Sequence, residues 1–486
     1  MFHNNDKTVK ISSLRQLLVQ SGRWAVFSML VVLSGCIKYQ YKPEPIDESL
    51  TLHAILNSDP RDGQFLKFLQ LNNYPTNDWP IKKWNLQALT LASIYFNPAI
   101  KVAKSELALQ SAAEITAGQR PNPSLGVPLE HHSASGDSPW LIGIVTDFLF
   151  ERADKREATM QQAEAKKHAA EINLEQQVWS IYSELHKSLL DYFAAVKEKE
   201  LLIVQQDLLK ENLGLLERRQ ELGQVSEFEL SSIRLELQHI QLRISDQHYV
   251  INDAFHNMIS NTGLQVDKFN KDSLVFSEME NELSKVNLDE TTLREELLNN
   301  RFDIRIKLKN YEALEAALRL EIVKQYPDLN LSPGFIFDQG DKIWTLGASW
   351  ILPLFHNNEG QIEEALAARQ QLQAEFMQLQ TSLINELSRK RQNYQDKLTS
   401  YKKALQLMDE LTDRDKQIKK QFDLGYVDSL SVIRSKSEIE KAKQAVFAIK
   451  IDVLRAMEQL EQITQQPMDQ KIDIKTLTHN IVEQDK

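Results

Sequence analysis

The stretch ELGQVSEFEL, residues 221–230, returns as DLGYVDSLSV, residues 423–432, displaced by 202 positions. Each copy sets a glycine, Gly223 or Gly425, between two runs of helix-forming residues, and glycine tolerates the positive φ that a tight reversal needs. Two further pairs keep nearly the same displacement. RPNPSL, residues 120–125, matches YPDLNL, residues 326–331, and TDFLFERADKREA, residues 146–158, matches ILPLFHNNEGQIEEA, residues 351–365. A near-constant offset over three landmarks makes the chain a tandem duplication.

The long runs around these landmarks are helical. Apolar side chains fall at Leu372, Phe376, Leu379, Leu383 and Leu387, then at Tyr394, Leu398, Tyr401, Leu405 and Met408. The first half repeats the pattern at Val178, Ile181, Leu185, Leu189, Tyr192 and Val196. Steps of three and four keep one stripe of a helix apolar, and the Gln, Glu, Lys and Ala between the stripes are good helix formers. Only 15 glycines and 14 prolines punctuate 486 residues. The expectation is coiled-coil-like helices of roughly 70 residues, about 100 Å at 1.5 Å per residue. A stripe this narrow cannot bury itself, so each helix needs partners.

Each unit has the same order: a helix, roughly 84–118 or 302–325, then a proline, then two strands. The first strands are SLGVPLEHH (124–132) and WLIGIVTDFLF (140–150), separated by SASGDSP; the second are NLSPGFIFD (330–338) and IWTLGASWILPLF (343–355), separated by QGDK. They read as hairpins with imperfect alternation, either small surface hairpins or membrane strands. In a membrane an open sheet edge would leave unpaired backbone groups in hydrocarbon. Four strands cannot close a barrel, and outer-membrane barrels begin at eight. Two chains would supply eight strands and three would supply twelve, so several copies would have to combine.

The chain begins with Lys7, Lys10, Arg15 and Arg23, followed by the uncharged, mostly apolar WAVFSMLVVLS, residues 24–34. That is the layout of a secretory signal, too short to span a bilayer comfortably. Leu33, Ser34, Gly35 and Cys36 then resemble the lipobox of bacterial lipoproteins, whose cysteine is acylated and becomes the new N-terminus. Lys38 stands where an aspartate would retain some lipoproteins in the inner membrane, which favours outer-membrane sorting. With Cys36, the only cysteine, spent on lipid, no disulfide is available and stability must come from packing. The excess of 68 acidic over 57 basic residues argues against nucleic-acid binding.

The duplicated pattern of NPxL-like segment, hairpin ending in PLF, long helix, glycine-centred turn and return helix resembles the outer-membrane efflux protein family, the TolC-like channels, over about residues 80–465. The first hairpin departs slightly, ending in Phe148, Leu149 and Phe150 without the proline. The lipobox followed by YQYKPEP, residues 39–45, resembles the lipidated subgroup that partners resistance-nodulation-division pumps. The resemblance implies a mainly α fold with β: long coiled-coil-like helical hairpins plus four membrane strands per chain. It further implies a homotrimer with one twelve-stranded barrel and a helical periplasmic tunnel, served by a periplasmic adaptor protein and an inner-membrane transporter.

The family's tip motif maps onto Arg219, Leu222, Gly223 and Ser226; the duplicate keeps Leu424 and Gly425 but has Gln421 for the arginine and Asp428 for the serine. These tips are the expected adaptor-docking residues, since Leu222, Val225, Leu424 and Val427 would be costly to expose; otherwise they are ordinary helix turns. Family channels narrow near this end, often at carboxylates. The candidates are Asp423, Asp428, Glu227 and Glu229; Ser431 and Arg434 stand where an acidic ring would otherwise be sought. The histidines, including the adjacent His131 and His132 and the isolated His53, His356 and His479, show no metal-ligand spacing. No phosphate-cradling glycine loop appears, and no catalytic constellation or cofactor site is expected.

The expected organisation is a lipoprotein signal peptide (1–35), a lipid-anchored strap extended along the trimer (36–80), the first repeat (81–290), the second repeat (291–467) and a polar tail (468–486). The reading is a passive outer-membrane channel of a tripartite efflux system, carrying drugs or metal ions. The alternatives are the outer component of a type I protein secretion system and a lipid-anchored periplasmic scaffold without a pore. Trp140, Trp344 and Trp350 discriminate: a barrel turns them toward lipid, whereas a scaffold buries them between helices.

Overall fold

The computed structural model describes residues 41–133, 139–151, 153–280, 283, 288–467 and 473–483. The leader, Cys36 and the last residues of the expected tail lie outside the described residues. The chain forms two compact units, Met1–Asn57 and Ser58–Lys486. The described part of the first holds the helix Glu48–Leu56, capped by Asp47, whose carboxylate accepts hydrogen bonds from the Ser49 and Leu50 amides.

The second unit presents one series of elements twice. Helices Leu86–Phe96 and Pro98–Gly118 lead into strands β1 (Ser124–Gly126), β2 (Leu129–His131) and β3 (Trp140–Phe150). A 69-residue helix, Ala153–Glu221, and a 36-residue return helix, Glu227–Thr262, follow. Likewise helices Glu290–Asn300 and Phe302–Val323 lead into β4 (Leu329–Asp338) and β5 (Asp341–Ser349). A 65-residue helix, Glu359–Asp423, and a 36-residue return helix, Ser429–Thr464, close the series. At 1.5 Å per residue the long helices reach about 100 Å and the return helices about half that.

A return helix of that length covers half of its partner; the remainder packs on the helix that precedes the strands. The two shorter helices meet at a joint. Gly263, with φ of 73°, ends the first return helix beside Asn97, the N-cap of Pro98–Gly118. Asn97 Nδ2 donates to the Asn261 carbonyl at 3.1 Å, and a Cβ on Gly263 would lie 2.9 Å from the Asn97 backbone. The second repeat builds the joint differently. There Arg301 Nη1 donates to the Ile463 carbonyl at 2.8 Å, and Gln465 Oε1 accepts from the Phe302 amide at 2.7 Å. Both solutions satisfy backbone groups that helix ends leave without partners. The helix expected over 84–118 is therefore two helices, because Asn97 caps and Pro98 occupies the first helical turn.

The apolar stripes are where the cores form. Val178, Ile181, Leu185, Leu189 and Tyr192 are buried with Phe255, Met258 and Ile259, while Leu383, Leu387 and Tyr394 are buried with Val453, Leu460 and Ile463. Two expectations are corrected in the first core. Within the segment read as an extended strap, Gly63–Leu71 is a helix whose Phe65, Phe68 and Leu69 are fully buried, Phe65 lying against Trp79, Tyr95 and Phe96. Within the segment read as a polar tail, Ile474–Glu483 is a helix burying Ile474, Leu477 and Ile481 in the same core. Both have apolar residues at helical spacing, but over runs short enough to pass for irregular chain.

The strands form one antiparallel sheet in the order β1 and β2, β3, β4, β5. Its centre joins the repeats, Leu141 pairing with Asp338 and Phe150 with Leu329. Pro128 divides the first strand into β1 and β2, and its carbonyl accepts the Gly143 amide at 3.0 Å. β4 and β5 turn on Gln339 and Gly340, both at positive φ, as a two-residue hairpin requires. The turn is shorter than the expected QGDK, and β5 stops at Ser349, well before Phe355.

Candidate functional site

Alternation along the strands gives the sheet two unlike faces. Leu129, Trp140, Ile142, Ile144, Phe335, Phe337, Trp344 and Leu346 share one face by register. Trp140, Ile142, Ile144, Trp344 and Leu346 on it are exposed, Trp344 at 81%. The opposite face includes Leu141, Val145 and Ile336, yet it carries every acid of these strands: Glu130, Asp147, Asp338 and Asp341. Asp147 accepts hydrogen bonds from Ser124 Oγ at 2.9 Å and from Ser332 Oγ. β1 and β2 lie at one edge and β5 at the other, with no strand on their outer sides among the described residues. Trp350 is exposed too, but it lies beyond β5, so strand alternation does not place it.

The other site is the pair of helical turns. In the first, the Gln224 amide donates to the Arg219 carbonyl at 2.9 Å and the Gly223 amide to the Gln220 carbonyl at 2.8 Å, with Gly223 at φ 68°. In the second, Tyr426 donates to Gln421 at 2.9 Å and Gly425 to Phe422 at 2.9 Å, with Gly425 at φ 78°. Both are the Schellman arrangement, which consumes the last helical carbonyls. Ser226 and Asp428 then cap the return helices, accepting from the Glu229 amide at 3.3 Å and the Ser431 amide at 2.9 Å. Asp428 therefore does the capping work of the serine it replaces.

The turns are joined to each other. Leu216, Leu230 and Leu430 form a buried cluster between the hairpins, with Val225 packed against it. Arg219 Nη2 lies 2.7 Å from Asp428 Oδ2. Further along the return helices, Glu229 pairs with Arg434 at 3.0 Å and Glu236 with Lys441 at 2.9 Å, a step of seven residues on both helices. The Ser431 hydrogen bonds, then Arg219, hold the Asp428 carboxyl down to about 2.

Of the acids proposed for a constriction, Asp428 is held by Arg219, Glu229 by Arg434 and Glu227 by Arg234 at 3.3 Å. Asp423 is exposed and makes no ion pair among the described residues. Leu222 and Leu424 are 71% and 62% exposed, while Val225 and Val427 are half-buried. Sequence reasoning overlooked Phe228 and Tyr426, exposed at 81% and 78%; their aromatic character beside a glycine turn was the available signal. No group of three or more His, Cys, Asp or Glu residues able to hold a metal occurs among the described residues. No helix among them is long and apolar enough to cross a membrane.

Neither a family model nor a curated protein sequence matches the chain. Solved structures do. The outer-membrane channel OprN aligns with a TM-score of 0.65 at 16% identity, covering 89% of this chain and 99% of its own. The outer membrane protein VceC of Vibrio cholerae aligns at 0.62 and 16% identity, covering 79% and 96%. The chain has the fold of an outer-membrane channel. A third channel of this fold, CmeC of Campylobacter jejuni, aligns at 0.57 and 15% identity over 93% of this chain and 97% of its own. The mainly α-helical architecture with a small sheet, expected from the TolC-like resemblance, is the channel fold found. Within that fold, the two-faced sheet and the joined tips stand at opposite ends of the long helices.

Proposed function

We propose that this protein is the outer-membrane channel of a tripartite efflux system, passively conducting small toxic solutes, drugs or metal ions, to the exterior. The observation that carries the reading is the two-faced sheet. Its exposed apolar face suits lipid and its acid-bearing face suits a watery lumen, the pattern of membrane barrels. Its open edges would be costly in hydrocarbon unless other chains pair with them. Three copies closing a twelve-stranded barrel satisfy both edges of every chain. Leu235, Leu242 and Tyr249, exposed at steps of seven on the first return helix, are the kind of stripe that a neighbouring helix covers.

At the far end, Leu222, Phe228, Leu424 and Tyr426 present an apolar surface for a periplasmic adaptor, through which an inner-membrane transporter of the resistance-nodulation-division type delivers cargo. Acylation of Cys36 adds a second hold on the outer membrane. The protein performs no catalysis in this reading; it supplies the path. The exposure of Trp140, Trp344 and Trp350 favours it over a scaffold that buries its hairpins between helices.

The test is single-channel conductance of the purified mature protein in a planar bilayer, with the particle mass measured in the same preparation. Discrete openings from a three-chain particle are expected. A folded particle that inserts without conducting, even after the tip ion pair is removed, would overturn the channel reading.

A further inference from the structure

Where the first repeat's strands give way to its long helix there is a cavity of about 350 Å³, whose lining includes Arg120, Pro123, Phe148, Phe150, Glu151 and Arg156. Phe148 and Phe150 are exposed and belong to the end of β3, on its apolar face by alternation. Neither Arg120 nor Arg156 has an ion-pair partner among the described residues. Two guanidinium groups thus share the cavity with one carboxylate, Glu151.

The duplication supplies an internal comparison. The second repeat has a cavity of about 370 Å³ at the corresponding junction, with Lys324, Pro327 and Phe355 in its lining. Lys324 and Pro327 stand 204 residues after Arg120 and Pro123. There the cations are already matched: Lys324 lies 2.7 Å from Glu321, and Lys155, also in the lining, lies 2.7 Å from Asp328. One cavity is electrically satisfied by its own chain, and the other keeps its positive charge.

A guanidinium fork fits phosphate oxygens, and the floor beside these two is apolar. An amphiphile with a phosphate head meets both demands, whereas a free anion would gain nothing from Phe148 and Phe150. The place is right for one, because basic side chains gather where an apolar belt ends and lipid headgroups begin. We infer that this cavity binds the headgroup phosphate of an anionic phospholipid, with Arg120 and Arg156 on the phosphate and the acyl chains against Phe148 and Phe150. The inference rests on the membrane placement of the sheet proposed above.

The experiment uses full-length protein and has two stages. Flotation of the Cys36→Ser variant, which carries no acyl anchor, with phosphatidylglycerol liposomes first establishes that the sheet itself enters a bilayer. Phosphatidylglycerol binding to detergent-solubilised wild type and to R120Q/R156Q is then titrated by native mass spectrometry, with inorganic phosphate as competitor. Two lost cations should weaken lipid retention about thirtyfold, and each single variant, R120Q or R156Q, about fivefold; the single variants carry the test if the double variant does not assemble. Inorganic phosphate at equal concentration should displace nothing. Equal lipid retention by wild type and variants, or displacement by phosphate, overturns the assignment while leaving the membrane reading intact if the Cys36→Ser protein floats. A Cys36→Ser protein that does not float overturns both.

Discussion

Arg219 and Asp428, 209 residues apart in the chain, meet at 2.7 Å and tie the first helical turn to the second. A half-exposed pair of this kind contributes at most about 1 kcal/mol to stability. Its consequence is positional, since it holds together two ends that the buried Leu216, Leu230 and Leu430 also join.

Replacing Arg219→Gln or Asp428→Asn should therefore leave the melting temperature nearly unchanged while raising the frequency of channel openings in a planar bilayer. The Asp428 carboxyl is held at about 2 in the folded protein, below its ordinary value. A depressed carboxylate stabilises above its unfolded pKa, and that contribution disappears as pH falls toward the folded value. Between pH 5 and pH 8 this pair should impose no pH dependence, which conductance recordings across that range would check.

Glu458 behaves in the opposite sense. Burial pushes its carboxyl up to about 7, opposed by His186 and Lys187 and reinforced by Asp191 and Glu461. Between its unfolded pKa and about 7 the folded state holds more protons than the unfolded state, so stability should fall as pH rises through that window and then level off. Glu458→Gln should remove most of this slope and stabilise the protein at pH 8 by a few kcal/mol, about 3 at most. Thermal unfolding of both proteins at pH 5 and pH 8 gives the comparison.

Two glycines at similar φ separate backbone strain from crowding. At Gly223, φ 68°, an added Cβ meets nothing within 4 Å, whereas at Gly263, φ 73°, it comes within 2.9 Å of the Asn97 backbone. Gly223→Ala should cost about 1 kcal/mol, the price of the left-handed conformation. Gly263→Ala should cost roughly 3 kcal/mol or more, because the joint must also separate. Equal losses in denaturant titrations would mean that the joint yields freely.

Leu222→Asp and Tyr426→Asp alter exposed side chains and should shift stability by no more than about 0.5 kcal/mol. On the proposed channel function, both should reduce capture of a periplasmic adaptor by crosslinking without changing the mass of the assembled particle. Undiminished capture by the double variant would move the docking surface away from the turns.

The duplication, the long helices, the hairpin positions and the glycine turns were legible in the sequence because they depend on local periodicity and on residues with restricted or unusual backbone freedom. The stripe from Val178 to Tyr192 could be read as a core face before any partner was known, since spacing alone puts those residues on one side of a helix. The tertiary structure decided which partners those faces meet. Helices Gly63–Leu71 and Ile474–Glu483 read as strap and tail because nothing local shows that Phe65 and Leu477, more than 400 residues apart, enter one core. The joints at Asn97 and Arg301, the pairing of β3 with β4 and the link from Arg219 to Asp428 are likewise contacts between distant segments. Their energies depend on distance and desolvation in three dimensions, and neither quantity is written in the spacing of residues along the chain.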